Sequence, residues 1–164
     1  MGDQIHIVTI GVYGFDEAGF FSALTSSRVD TFCDLRRRRG LRGRAYAFAN
    51  SCRLQKRLAV LGIRYVHIKE LAPSPAIRDV QREDDRRHGI GKRERAFLSP
   101  AFIQAYQSEC LQNLTVAKFR DLIGPDARVV ALFCVEREPE ACHRSLVADK
   151  LADELGIEPE HIRP

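Results

Sequence analysis

Five side chains capable of chemistry lie within eleven residues towards the end of the chain: Cys134, Glu136, Cys142, His143 and Arg144. A thiol loses its proton more readily beside a cation or at the start of a helix, and the thiolate is a strong nucleophile. A nearby carboxylate can transfer protons, and a guanidinium can hold a phosphate or carboxylate group. The spacing predicts a catalytic site formed by the first four residues, with Arg144 binding the substrate.

Two other interpretations of these residues stay open. Cys134, Cys142 and His143 carry atoms that bind zinc, but the spacing C-x7-C-H is not that of a compact zinc knuckle. Adjacent helical residues also point about 100° apart, which makes it awkward for Cys142 and His143 to reach one ion. We therefore predict no metal and no other cofactor. Alternatively, the two thiols only pack in a core, as buried cysteines commonly do.

The residue types around the cysteines predict a strand, a short loop and a helix. Residues 129–133 are a continuous apolar run, which is typical of a strand buried on both faces. Pro139 and its acidic neighbours suit a helix entrance, where a missing N–H is tolerated and negative charge is favourable. Ligands of open α/β sheets bind beyond the carboxyl ends of the strands, so this junction is a candidate site.

Three earlier segments, 5–10, 29–35 and 63–68, are rich in β-branched and aromatic residues and are separated by helical patterns. Residues 161–162 are a candidate further strand. Strands that alternate with helices pair in parallel. We predict an α/β fold with a mainly parallel sheet of four to five strands and helices on both faces, a Rossmann-like three-layer arrangement.

Glycine and polar residues also lie where the first two predicted strands end. Gly11 begins a turn that includes Tyr13, and Asp34 and Arg36 lie at the end of the second strand. Because parallel strands end at one edge of a sheet, these residues should converge on the cysteine motif. We predict that all four bind substrate together with Arg144.

The densest positive charge lies directly after the second strand, where six arginines fall within residues 36–44. So many cations cannot pack inward, and such a run is the electrostatic footprint of phosphate contacts. The residues predicted to bind nucleic acid are Arg37, Arg38, Arg39, Arg42 and Arg44. The alternative is a solvated loop without a partner.

Residues 71–98 interrupt the alternation of strands and helices. The segment is dense in both signs of charge and too long for an ordinary connection, so we predict a lid, a binding loop or a partly disordered insertion. Helices are predicted over residues 47–61 and from 99 to about 121. Without a repeat or a second domain in the sequence, residues 1–164 should form one domain.

The composition limits the class of protein. The net charge is +4, 45% of the residues are hydrophobic and 29% are charged, as in soluble globular proteins. No apolar stretch approaches the ~20 residues that span a bilayer, and the first residues do not resemble a signal peptide. We predict a cytoplasmic protein without membrane contact, in which the five cysteines are reduced.

Taken together, the motifs resemble the domain-of-unknown-function 488 family along essentially the whole chain. The residues that carry the resemblance are Thr9-Ile10-Gly11, Asp34-Leu35-Arg36, Leu61-Gly62-Ile63-Arg64-Tyr65, Cys134-x-Glu136 and Cys142-His143-Arg144. The chain departs from the family pattern at Val12-Tyr13, which replaces a His-Ser pair, and at Leu71-Ala72-Pro73, which replaces a glycine pair. The resemblance implies the α/β fold and the same site, and it implies no reaction.

The functional expectation combines the cysteine motif with the arginine run. We predict an enzyme, possessing a reactive cysteine, that acts on a phosphate-bearing substrate such as a nucleotide or nucleic acid. A non-catalytic nucleic-acid-binding module is the alternative, and a zinc-binding protein is less favoured.

Overall fold

The computed structural model describes residues 4–164, and within them five strands form one parallel sheet. The strands are β1 (His6–Gly11), β2 (Thr31–Asp34), β3 (Arg64–His67), β4 (Val129–Cys134) and β5 (Glu160–Ile162). Their order is β3-β2-β4-β1-β5, and every neighbouring pair is parallel. The predicted parallel sheet is confirmed.

Six α-helices occur in this part of the chain: α1 (Glu17–Ser26), α2 (Ser51–Val60), α3 (Pro75–Arg87), α4 (Pro100–Tyr106), α5 (Val116–Ile123) and α6 (His143–Leu155). In four of these helices, the residue before the first turn has a side-chain oxygen that accepts a hydrogen bond from an N–H of that turn. The N–H groups of the first turn have no partner within the helix, so this cap satisfies one of them. These caps are Asp16, Ser74, Ser99 and Thr115. Each helix of residues 4–164 is too short or too polar to span a lipid bilayer.

The sheet separates two hydrophobic cores, which makes the fold a three-layer α/β arrangement. Along β4, Val130 and Leu132 belong to one core, whereas Ala131 and Phe133 belong to the other. Successive strand residues point to opposite faces, so a strand buried on both faces is apolar throughout. Helices α1 and α2 pack on the Phe133 side, and α3 to α6 pack on the Leu132 side.

The exit of β4 opens a crevice at the carboxyl edge of the sheet. Gly11 of β1 and Cys134 of β4 are register partners, and Asp34 of β2 pairs with Phe133. The chain leaves β1 and β2 towards α1 and α2, but it leaves β4 towards α6 in the opposite layer. Neighbouring strand ends whose connections diverge leave room for a ligand between them.

The helix predicted from 99 to about 121 is wrong as one continuous element. Helix α4 ends at Tyr106, one wide π-type turn covers Gln107–Leu111, and α5 begins only after Thr115. Leu114 is buried in the core, and the Thr115 hydroxyl caps the new helix. Burial of Leu114 and this cap together favour two short helices. The helix predicted over 47–61 likewise starts late, at Ser51.

The charged segment 71–98 contains helix α3. Pro75 occupies its first turn, where the missing N–H needs no partner. Further along, Asp85 forms an ion pair with Arg95, and Gln81 donates a hydrogen bond to the same carboxylate at 2.8 Å. Burial would raise the pKa of Asp85, but the hydrogen bonds from Arg95 and Gln81 lower it overall. These contacts are internal to the segment. It is tied to the rest of the domain by the Ser99 N–H, which donates to Gln81 Oε1 at 2.8 Å, and by the Leu98 N–H, which donates to the Glu140 carbonyl oxygen at 3.1 Å.

Candidate functional site

The two cysteines of the motif lie side by side at the crevice. Cys134 ends β4, and Cys142 immediately precedes α6. Their sulfur atoms and a ring nitrogen of His143 all lie within 4.8 Å of one another. Both thiols are buried, with 7% of Cys134 and 2% of Cys142 exposed. The strand–loop–helix unit thus brings together two thiols that seven residues separate in the sequence.

His143 is oriented by a backbone contact. Its Nε2 lies 3.1 Å from the Leu35 carbonyl oxygen, which can only accept, so Nε2 must donate in this hydrogen bond. In the neutral ring Nδ1 then carries the lone pair, and Nδ1 lies 3.8 Å from the Cys142 sulfur. The imidazole is therefore placed to accept the proton of the Cys142 thiol.

The two thiols have opposite tendencies to ionise. Burial by itself raises the pKa of Cys142, but a hydrogen bond from Cys134 and the positive charges of His143 and Arg144 bring that pKa well below its usual value. The pKa of Cys134 is raised well above its usual value by its hydrogen bond to Cys142 and by burial. The surroundings therefore favour the thiolate at Cys142 over the thiolate at Cys134.

Glu136 lies beside this pair and can exchange protons near neutral pH. Burial and the negative charge of Cys142 raise its pKa to about 7, although Lys92, Arg95 and Arg144 act in the opposite direction. The Lys92 amine lies 3.9 Å from the carboxylate. A carboxyl group with a pKa close to the working pH is suited to general acid–base catalysis.

Arg144 holds the loop between the cysteines. Its side chain is fully buried and donates hydrogen bonds to the backbone carbonyl oxygens of Glu136 and Arg137. Its Nε has no hydrogen-bond partner among the described residues. The sequence predicts Arg144 as a substrate-binding residue, whereas the structure places its two terminal nitrogens against the protein backbone.

Gly11 allows the same loop to pass close to β1. A methyl group on Gly11 would overlap the Glu136 carbonyl oxygen and press against Nη1 of Arg144.

Replacing Gly11 by alanine is expected to lower the free energy of unfolding by about 2 to 3 kcal/mol, because the crowded backbone must shift. Urea denaturation measures the change. Gly40→Ala is the matched control, since its nearest neighbour would be an Asn50 oxygen at 4.0 Å; equal losses would contradict the packing argument.

Asp34 and Arg36 form a buried ion pair behind the cleft. Arg36 donates to both carboxylate oxygens at 2.8 and 2.7 Å, and the Tyr65 hydroxyl donates to Asp34 at 2.6 Å. The guanidinium lies over the Phe133 ring, 4.7 Å from its centroid. Arg36 also lines the cleft, and its Nη1 has no partner in residues 4–164. This nitrogen is itself buried, with almost no exposed surface.

A cleft of about 510 Å³ lies over Cys134, Glu136, Cys142 and His143. Its other walls come from the arginine run and from segment 71–98, so it carries more positive than negative charge. The basic residues lining it are Arg36, Arg37, Arg38, Arg78, Arg82, Arg86, Lys92 and Arg95, and the acidic ones are Asp85 and Glu136. Such a cleft favours an anionic ligand.

Arg78 is a cleft residue that sequence reasoning missed. Burial lowers its pKa, and the charges of Arg82, Arg38 and Arg37 lower it further. Like charges therefore converge here, from helix α3 and from the arginine run. The only signal in the sequence was the high charge density of segment 71–98, which does not distinguish Arg78 from its neighbours.

The remaining predicted residues lie outside the cleft wall. Arg39 approaches the Tyr65 hydroxyl at 3.4 Å, and Arg42 and Arg44 are exposed residues of the loop. Tyr13 packs against Tyr46 with ring centroids 5.1 Å apart. The structure therefore brings Cys134, Glu136, Cys142, His143, Arg36, Arg37 and Arg38 to the cleft.

The three donors Cys134, Cys142 and His143 are also the residues that could hold a metal ion. Two thiolates and one imidazole suit zinc, and such a set would leave its fourth position open to the cleft. Because Nε2 of His143 is bonded to Leu35, the ring would use Nδ1. The sequence predicts that Cys142 and His143, as neighbouring helical residues, point too far apart to reach one ion easily. In the structure Cys142 has an extended backbone and precedes the helix, so this difficulty does not arise.

A protein-family model matches residues 18–151, which is most of the chain. The chain belongs to that family. It is described as Domain of unknown function DUF488, and the family resemblance is confirmed. No match was found among curated proteins or among solved structures. Within this DUF488 chain, the matched part runs from α1 into α6 and contains both cysteines, Glu136 and the arginine run, whereas Gly11 and Tyr13 precede it.

Proposed function

We propose that the protein is a cysteine-dependent enzyme acting on a phosphate-bearing substrate, such as a nucleotide or nucleic acid. The observation that carries this proposal is the pair Cys134–Cys142 at the floor of a cleft whose wall is rich in guanidinium groups. A thiolate supplies a nucleophile, and the guanidinium groups supply the affinity for the anion.

The anion would bind to cations that lack internal partners. Within residues 4–164, the side chains of Arg38 and Arg78 form no ion pair or hydrogen bond, and Arg37 donates only to the Pro73 carbonyl oxygen. Unpaired like charges repel one another, and a bound phosphate would relieve that repulsion with bidentate hydrogen bonds. These three residues are the proposed phosphate subsite.

The geometry and the ionisation tendencies of the other residues support the following roles. Cys142 attacks an electrophilic atom of the substrate as the thiolate, and Cys134 stabilises that thiolate through its hydrogen bond. Nδ1 of His143 accepts the thiol proton. Glu136, with a pKa of about 7, donates a proton to the leaving group.

Alkylation with two reagents of different charge tests this proposal. Iodoacetamide is neutral and iodoacetate is anionic, and otherwise the two react alike with thiolates. At pH 6 and low salt, we expect the ratio of the iodoacetate rate to the iodoacetamide rate to be about tenfold or more higher at Cys142 than at exposed Cys52. The reason is that the cleft arginines attract the anionic reagent. Mass spectrometry of each site after limited labelling gives the two ratios.

Substitutions distinguish the effect of the cleft arginines from the effect of the overall positive charge of the protein. Arg38→Ala and Arg78→Ala should each lower the preference for iodoacetate at Cys142, and a phosphate-bearing ligand should protect the thiol. Arg53→Ala is the matched control, since Arg53 is an exposed residue of α2 paired with Glu17 and does not line the cleft. Equal rates at Cys142, Cys52 and Cys110 with both reagents would contradict the proposal.

The alternative, a non-catalytic nucleic-acid-binding module, is favoured by the exposed Arg42 and Arg44 and by the Tyr13–Tyr46 ring pair, over which Arg93 is placed. Aromatic faces and arginines bind single strands by stacking and by charge. An oligonucleotide that binds in a salt-dependent manner without changing the labelling of Cys142 would favour this module.

A further inference from the structure

We propose that Cys134 and Cys142 form a redox pair, in which a peroxide oxidises Cys142 and Cys134 converts the product into an intramolecular disulfide. This inference goes beyond the proposed function and needs no phosphate-bearing substrate. It assigns a second task to Cys134, which the proposed mechanism uses only as a hydrogen-bond donor.

The placement of the two sulfur atoms carries the proposal. They lie within 4.8 Å of each other, whereas a disulfide requires a separation of about 2.05 Å. Cys142 lies outside the regular helix with extended backbone, at the end of a short turn that follows β4. Rotation of its side chain and a small movement of that turn would close the remaining distance. Both cysteines line the cleft, so a molecule as small as a peroxide can reach them.

The asymmetry of the pair determines which sulfur reacts first. Peroxides attack thiolates, and Nδ1 of His143, 3.8 Å from the Cys142 sulfur, is placed to accept the proton of that thiol. The Cys142 thiolate displaces hydroxide from hydrogen peroxide, the O–O bond breaks, and the sulfur becomes a sulfenic acid. The Cys134 thiol then attacks that sulfur, and its proton leaves with the sulfenic oxygen as water. An external dithiol returns two electrons and restores both thiols.

The linked product can be read directly from peptides. The reduced, full-length protein is treated with chelator and then with hydrogen peroxide, quenched with N-ethylmaleimide and digested with trypsin. Arg128, Arg137 and Arg144 place Cys134 in peptide 129–137 and Cys142 in peptide 138–144. We expect these two peptides to become disulfide-linked, the maleimide count of the denatured protein to fall from five to three, and dithiothreitol to reverse both changes.

Single substitutions resolve the order of the steps. In Cys134→Ser, the sulfenic acid at Cys142 should persist and be trapped by dimedone, at least about tenfold faster than at Cys52. In Cys142→Ser, no linked peptide should form. Cys52→Ser should link the same two peptides as the unmodified protein, because Cys52 is an exposed residue of α2 and does not line the cleft.

Three results would overturn the proposal: retention of five maleimide-reactive thiols after peroxide, a disulfide formed by other cysteines, or, in a parallel sample prepared without chelator, bound zinc that prevents the linkage. Anion-selective alkylation of the reduced protein uses no oxidant. The redox pair can therefore fail while the proposed function stands, and a linked peptide can form in a protein whose Cys142 shows no preference for iodoacetate.

Discussion

Replacing Arg144 by alanine is expected to lower the free energy of unfolding by about 3 to 5 kcal/mol, the largest effect of any single substitution considered for this chain. The side chain is fully buried, and its two terminal nitrogens satisfy the carbonyl oxygens of Glu136 and Arg137. Alanine would leave a cavity and two buried acceptors without donors, and each unsatisfied group costs about 1 to 3 kcal/mol. Urea denaturation at neutral pH measures the loss.

Two further variants define the cause. Arg144→Lys retains the charge but supplies a single nitrogen, so it should recover part of the stability. Arg53→Ala removes an exposed arginine whose ion pair with Glu17 lies in solvent, and it should cost no more than about 1 kcal/mol. If Arg144→Ala cost as little as Arg53→Ala, the loop between the cysteines would not depend on the buried guanidinium. Arg144→Ala should also slow alkylation of Cys142, because it removes one of the positive charges that lower the pKa of Cys142.

The sheet could be predicted because its strands are marked by local composition. A parallel strand covered on both faces must be apolar at every position, and residues 129–133 satisfy that condition. Cys134, Glu136, Cys142 and His143 could be placed in one site for a similar reason. A strand followed by a short loop and a helix keeps these residues, which are at most nine positions apart, at one edge of the sheet.

The role of Arg144 could not be predicted because it depends on tertiary folding of the loop. An arginine in the first turn of a helix has the same sequence signature whether it faces a ligand or a backbone carbonyl group. The two acceptors are the carbonyl oxygens of Glu136 and Arg137, and they reach Arg144 only because the folded loop passes beside it.

Helix α3 and Arg78 were missed because the buried side of that helix is partly polar. Ile77 is followed on the same side by Gln81 and Asp85, which are buried through hydrogen bonds to each other and to Ser99 and Arg95. A pattern search recognises a helix by its apolar stripe, and polar residues in that stripe conceal it. The break between α4 and α5 was missed for the opposite reason, since apolar spacing continued across a turn.

Replacing Glu136 by glutamine is expected to change how stability depends on pH. The pKa of Glu136 is about 7 in the folded protein, against about 4.5 for an unperturbed glutamate, and its side chain is only 8% exposed. Below pH 4.5 both states hold the proton, and between about 4.5 and 7 the folded state alone retains it. The free energy of unfolding therefore falls as pH rises through this window, by roughly 3 kcal/mol in total, and the deficit persists above pH 7.

Glutamine cannot ionise, so Glu136→Gln should remove this deficit. Relative to the unmodified protein, the variant should gain up to roughly 3 kcal/mol between pH 4.5 and pH 8, measured by urea denaturation at each pH. Part of the raised pKa comes from the Cys142 thiolate. The gain should therefore shrink when the substitution is made in a Cys142→Ala background, which carries no charge at that position. A difference in stability that stays constant from pH 4.5 to pH 8 would contradict a buried Glu136 that retains its proton to near neutral pH, and with it the assignment of Glu136 as the proton donor.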